Sequence, residues 1–101
     1  MKVEILYFDG CPNWEEAGAL VRQAAAAAAL PDPEITYRRV GTDAEAAALP
    51  FAGSPTILID GADAFGAEPV THLACRVYPT PAGPAGLPTA RQLADALRAR
   101  S

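Results

Sequence analysis

The strongest candidate for chemistry in this sequence is Cys11, which stands between a predicted strand and a predicted helix, followed by Pro12 and Asn13. The unpaired amides and the dipole at a helix N-terminus stabilise a thiolate, so the pKa of Cys11 should fall below about 8.5. Glu15 and Glu16 oppose this effect, because nearby negative charge raises the pKa of a thiol. The pattern predicts a moderately activated nucleophile. The alternative is a half-buried cysteine that only packs against its neighbours.

Candidate binding residues follow this cysteine directly. Pro12, Asn13 and Trp14 continue the chain into the predicted helix. Trp14 and Tyr7 either line a groove beside Cys11 or cover the core at the start of the helix. The sequence leaves both interpretations open.

The second candidate catalytic residue is Cys75, which lies in the alternating segment 71–78. The alternation predicts a strand in which apolar neighbours share a face with Cys75 and raise the pKa of its thiol. Cys75 should therefore be buried and less reactive than Cys11. The same strand would run back toward Cys11, so a role as a distant resolving thiol stays open. Arg76 either lowers the pKa of the Cys11 thiol or is a solvated residue of an edge strand.

Patterns that bind metal ions are weak in this sequence. His72 and Cys75 are three residues apart, and on a strand such residues point to opposite faces, so we expect no zinc site. Asp60, Asp63 and Glu68 lie in a predicted loop, where turn residues that cap their own backbone are more common than cation ligands. We therefore expect no bound metal and no cofactor.

The elements that must position these residues alternate along the chain. The patterns predict a strand at 2–8, a helix ending near Leu30, a strand from Ile35, a short Ala-rich helix opened by Thr42, a strand after Ser54-Pro55, a loop at 62–70, a strand at 71–78, an irregular connection at 79–88, and a last helix opened by Thr89. The first half of this β-α-β-α-β-β-α order requires parallel pairing through a right-handed crossover, and the second half favours an antiparallel hairpin. We expect an α/β fold with a mixed four-stranded sheet and helices on both faces. The first strand should be central, because it is apolar on both faces.

Length and charge limit the class of protein. The 101 residues are enough for a single domain spanning 1–101, and the formal net charge of −4 argues against nucleic acid or an anionic membrane as a partner. No apolar run approaches about 20 residues, and the N-terminal apolar run is too short for a secretion signal. The sequence therefore favours a cytoplasmic protein, in which cysteines are more often free or redox-active than structural.

The Cys-Pro that opens the first helix, the Ser-Pro-Thr before the third strand and the order of elements together resemble the thioredoxin-like superfamily, over nearly the whole chain. This resemblance implies that Cys11 is the nucleophile and that a cis Pro55 stands opposite it. It also implies that Ser54 offers its backbone to a substrate. The chain departs from the family where Trp14 occupies the position of the second cysteine. It also resembles small actinobacterial thioredoxin-like proteins labelled as related to alkylmercury lyase.

Three functions fit these residues. The first is a thiol-redox protein that uses Cys11, with or without Cys75 as a distant partner, to exchange with protein or small-molecule thiols and disulfides. The second is a binding protein whose thiolates capture a soft metal such as mercury or copper(I). The third is a thioredoxin-like interaction scaffold with a degenerate site, which the missing second cysteine of the motif supports.

Overall fold

The computed structural model describes residues 1–100, which form three helices and six short strands. In chain order the elements are β1 (Lys2–Tyr7), α1 (Trp14–Ala27), β2 (Glu34–Arg39), α2 (Asp43–Ala48), β3 (Thr56–Ile59), β4 (Ala62–Asp63), β5 (Tyr78–Thr80), β6 (Gly83–Ala85) and α3 (Ala90–Arg100). Within the described residues, no helix has the length and apolar character needed to cross a membrane.

Four of these strands form one mixed sheet in the order β2-β1-β3-β4. β1 pairs with β2 in parallel and with β3 in antiparallel fashion, so that Ile5 lies between Tyr37 and Ile57. β4 adds an antiparallel edge to β3, and β5 and β6 form a separate hairpin. The prediction of a mixed four-stranded sheet with an interior first strand is confirmed.

Helices cover both faces of the sheet, as predicted. Val3 and Ile5 of β1 belong to a buried cluster that includes Val21 of α1 and both Leu93 and Leu97 of α3. On the opposite face, Leu6 and Leu58 pack with Phe51 and with Ala46 of α2. β1 is apolar on both faces because each face contacts a different helical layer.

Local capping signals place the two shorter helices. The Thr42 side chain accepts a hydrogen bond from the Glu45 amide at 3.1 Å, and Thr89 and Gln92 cap each other's amides at 2.9 and 3.1 Å. The capping box at Thr89 is confirmed in full, whereas at Thr42 only the N-cap bond forms, because the Glu45 carboxylate accepts from the Thr42 hydroxyl at 3.4 Å and not from its amide.

The first helix ends before the predicted Leu30. Ala29 has a φ of 57°, and the Leu30 amide donates to the Ala25 carbonyl at 2.9 Å. This left-handed turn closes α1 at Ala27, ahead of the prolines that the prediction used as its stop signal.

The predicted fourth strand at 71–78 is wrong. The edge of β3 is taken by β4, inside the segment predicted as a loop, because Asp60 and Gly61 adopt positive φ angles of 49° and 89° and reverse the chain at once. Segment 71–77 instead crosses the end of the sheet, where Cys75 makes an isolated parallel bridge to Ser54.

Candidate functional site

A disulfide joins Cys11, in the turn after β1, to Cys75, in the segment before β5. The two Cα atoms are 5.6 Å apart, although 64 residues separate the cysteines in the sequence. This Cα separation lies in the usual range for a disulfide. The structure therefore brings together the two thiols whose pairing the sequence left open.

The two halves of the disulfide differ in exposure. Cys11 is 2% exposed, whereas Cys75 is exposed, as is Val77, which is 64% exposed. The prediction that Cys75 is buried among apolar strand neighbours is wrong, because this segment turns Arg76 and Tyr78 inward instead. The burial argument for the predicted reactivity order therefore reverses, because Cys11 is the buried cysteine.

Ser54 and Pro55 lie against the disulfide. The Ser54–Pro55 peptide bond is cis, and Ser54 is 2% exposed. The Ser54 amide donates to the Ala74 carbonyl at 2.8 Å, and its carbonyl accepts from the Arg76 amide at 3.0 Å. Both backbone groups that the resemblance assigned to a substrate are thus occupied by the protein's own chain.

The Ser54 side chain connects this bridge to the other cysteine. Its hydroxyl oxygen accepts a hydrogen bond from the Phe8 amide at 3.1 Å, and the Phe8 carbonyl accepts from the Cys11 amide at 3.4 Å. One serine therefore contacts the turn that holds Cys11 and the segment that holds Cys75.

A buried ion pair fixes the residue after Cys75. The Arg76 guanidinium binds both carboxylate oxygens of Asp63, at 2.5 and 3.1 Å, and lies 4.4 Å from the ring centroid of Tyr78. The interpretation of Arg76 as a solvated edge residue is wrong. Its positive charge is compensated by Asp63, so the structure supplies no support for its proposed effect on the Cys11 thiol.

Asp63 also accepts hydrogen bonds from the amides of Phe65 and Ala67, at 2.9 and 3.3 Å, as a turn residue that caps its own backbone. Burial raises the pKa of its carboxyl, but the hydrogen bonds and the charge of Arg76 outweigh burial and hold that pKa below its ordinary value. Asp63 is therefore a charged group with a full set of partners.

The loop before β3 packs closely against the segment of Cys75. The Tyr78 hydroxyl donates to the Pro55 carbonyl at 2.5 Å, and burial raises the pKa of this phenol far above its ordinary range. Gly53 has a φ of 104°, and a Cβ atom there would lie 2.9 Å from the Cα of Arg76. Only glycine suits this position, since both its φ and its close approach exclude a side chain.

The start of α1 exposes Pro12 and Asn13 and half buries Trp14. The Trp14 ring stacks on Tyr7 with centroids 4.0 Å apart and meets Tyr37 edge-on at 6.0 Å. Trp14 therefore belongs to a partly exposed aromatic cluster and to neither buried core cluster, and both interpretations stay open. Asn13 has a φ of 79°, and its side chain makes no cap hydrogen bond to α1.

Sequence reasoning missed Asp63 and Tyr78 as residues that hold this site. A signal was present, because Arg76 and Tyr78 alternate with Cys75 and Val77. The predicted strand places the apolar positions of this alternation inward, which is the wrong phase. Arg76 is inward because Asp63 lies within reach of its guanidinium.

No group of three or more His, Cys, Asp or Glu side chains in residues 1–100 is arranged to hold a metal ion. Comparisons with protein-family models, with curated proteins and with solved structures find no match to this chain.

Proposed function

We propose that this protein is a thioredoxin-like thiol–disulfide exchange protein whose redox pair is Cys11 and Cys75. The observation that carries the proposal is the disulfide itself, which lies beside the cis Ser54–Pro55 peptide at the end of the sheet. Cys75 supplies the second thiol that the motif lacks, because Trp14 occupies the local resolving position.

Noncovalent contacts support a reversible pair. The Ser54 backbone, the ion pair between Arg76 and Asp63, and the hydrogen bond from Tyr78 to Pro55 all hold the segment of Cys75 in place. None of these contacts involves a sulfur atom, so we expect the two thiols to stay close after reduction. Re-forming the disulfide then costs less conformational entropy, because the fold already holds Cys11 and Cys75 close together.

The order β2-β1-β3-β4 and the helices on both faces are compatible with the thioredoxin-like relationship. We propose that the partners are protein or small-molecule thiols and disulfides. We further propose that the protein acts in the cytoplasm, where small-molecule thiols can reduce the disulfide between Cys11 and Cys75 and their disulfides can re-form it.

The test is a redox titration of the purified protein in buffers of reduced and oxidised glutathione. Both thiols should appear together in a single two-electron transition, counted by alkylation and mass spectrometry. The Cys75→Ser variant is the control and should show no intramolecular transition. A wild-type protein that stays reduced, or stays oxidised, across the whole glutathione range would contradict the exchange function.

Soft-metal capture is the second candidate, favoured by two cysteines whose Cα atoms are 5.6 Å apart. Two thiolates are sufficient for linear coordination of Hg(II) or Cu(I). Titration of reduced protein with Hg(II), followed by thiolate-to-metal absorption, should then give one metal per chain in the wild type and a weaker site in Cys75→Ser. Stable metal uptake by a protein whose thiols oxidised glutathione does not re-oxidise would favour this function. Failure of both reactions would favour the scaffold.

A further inference from the structure

We propose that small thiols enter the exchange at the Sγ atom of Cys75 and that Cys11 is the leaving group. This inference rests on the proposed function and assigns a different role to each sulfur. The reactant is a low-molecular-weight monothiol in its thiolate form.

Accessibility distinguishes the two sulfurs. Thiol–disulfide exchange requires a thiolate to reach one sulfur of the disulfide. Cys11, in the turn that follows β1, is 2% exposed, whereas Cys75 and Val77 lie on the surface. We infer from this difference in residue exposure that a thiolate from solvent reaches the sulfur of Cys75 before that of Cys11.

Attack at Sγ of Cys75 makes Cys11 the leaving group. Cys11 precedes α1, and the Asn13 side chain makes no cap hydrogen bond to this helix. Burial of Cys11 disfavours a negative charge there, so its role as leaving group follows from attack at Cys75. The helix dipole favours negative charge at this end of α1. Glu15 and Glu16 oppose this effect from the same turn, but both are exposed, so solvent screens their charge.

The backbone around Ser54 favours a small reactant. An extended peptide binds beside a strand or bridge through free amide and carbonyl groups. Those of Ser54 are occupied by Ala74 and Arg76. A monothiol needs only access to the sulfur of Cys75 and does not need a free backbone amide or carbonyl beside it.

The reaction balances in two steps. In the first, the thiolate bonds to Sγ of Cys75, the bond between the cysteines breaks, and its electron pair leaves on Sγ of Cys11. In the second, another thiolate attacks the sulfur of the bound small thiol, releases a small disulfide and leaves Cys75 as a thiolate. Two small thiols are thereby oxidised while the protein disulfide is reduced to two thiols.

Glutathione is the probe for the first step. Oxidised wild-type protein is mixed with glutathione, quenched with acid at early times, capped with N-ethylmaleimide and digested. The tryptic peptides 3–22 and 40–76 each hold one cysteine. We expect glutathione on 40–76 and maleimide on 3–22, in at least about tenfold excess over the reverse pattern. The reverse pattern, an even mixture, or no adduct on either peptide would overturn the inference.

Preformed adducts provide a second measurement. Cys11→Ser protein with glutathione on Cys75 is compared with Cys75→Ser protein with glutathione on Cys11, after circular dichroism establishes that both fold. Release by added glutathione should be about tenfold faster from Cys75. An equal or slower rate would contradict entry at this sulfur. A ten-residue cysteine peptide that reduces the wild type faster than glutathione would contradict the small reactant.

The two proposals fail in different ways. If the glutathione titration gives a two-electron transition but the early adduct is on Cys11, the exchange function stands and only the point of entry is wrong. If the titration gives no transition, the exchange function fails, and the absence of any adduct removes the further inference with it.

Discussion

The Arg76 guanidinium and the Asp63 carboxylate form a bidentate ion pair whose side chains are only 7% and 8% exposed. This pair ties the residue next to Cys75 to the short edge strand β4. The position of Cys75 therefore depends on a buried ion pair formed by the next residue in the chain.

Replacing Arg76 with methionine leaves the Asp63 carboxylate buried without its counter-ion. Removal of one partner from a buried pair costs about 3–5 kcal/mol, so we expect Arg76→Met to lower the free energy of unfolding by that amount. The matched control is Arg22→Met, because Arg22 pairs with Asp32 on the surface and should cost less than about 1 kcal/mol. Urea denaturation measures both, and equal losses would show that the Arg76 pair behaves as a surface pair.

Acid should weaken the fold through Asp63. Burial raises the pKa of its carboxyl. Arg76 and the amides of Phe65 and Ala67 lower the pKa by more than burial raises it, so the pKa lies below the ordinary 3.8. The folded carboxyl thus holds its proton less tightly than the unfolded one. Its contribution to stability is complete above the unfolded pKa and is lost as pH falls through the folded pKa.

We therefore expect the free energy of unfolding to fall as pH decreases from about 5 to about 2. Asp63→Asn cannot titrate at this position, so its stability should fall less steeply over the same interval, from a lower starting value. Urea denaturation at each pH gives the two slopes. Parallel slopes would mean that Asp63 does not contribute to the acid sensitivity.

Glycine substitutions test the close approach between Gly53 and Arg76. Gly53→Ala combines strain at a φ of 104° with a Cβ 2.9 Å from the Arg76 Cα, whereas Gly61→Ala has a φ of 89° and nothing within 4 Å. Strain at a positive φ costs about 1–3 kcal/mol at either site, and only Gly53→Ala should also displace the segment of Cys75. Re-formation of the disulfide by oxidised glutathione should therefore slow in Gly53→Ala alone. Equal rates in the two variants would contradict this packing.

Loss of the disulfide should destabilise the protein because the cross-link closes a long loop in the unfolded chain. For cysteines 64 residues apart, we expect Cys75→Ser to unfold with about 2–4 kcal/mol less free energy than oxidised wild type. Wild type measured with a reductant is the control and should match the variant. A reduced wild type as stable as the oxidised one would argue that the disulfide contributes nothing to folding.

Local patterns in the sequence predicted much of this fold. The apolar faces of β1 predicted a central strand, and the capping residues Thr42 and Thr89 located the helices that follow them. Each of these signals lies within a few residues of the element that it specifies. Such local patterns predict structure well because the side chains bond to backbone groups only a few residues away, whatever the rest of the fold does.

The region around Cys75 could not be predicted in the same way. The two-residue strand β4 is too short to show a period, and it removes the edge that a strand at 71–78 would need. The alternation in 71–78 is compatible with either face inward. The choice depends on Asp63, which is 13 residues from Arg76, and on the Pro55 carbonyl that accepts from Tyr78.

The disulfide also determines how far the chain can be stretched. It closes a loop of residues 11–75 and leaves only the segment before Cys11 and the segment after Cys75 free to extend under tension. Reduction would release 64 residues, equivalent to roughly 210–230 Å of extended chain at about 3.3–3.6 Å per residue. The redox state of this protein would then be recorded as a contour length in a single-molecule pulling experiment, independent of any substrate.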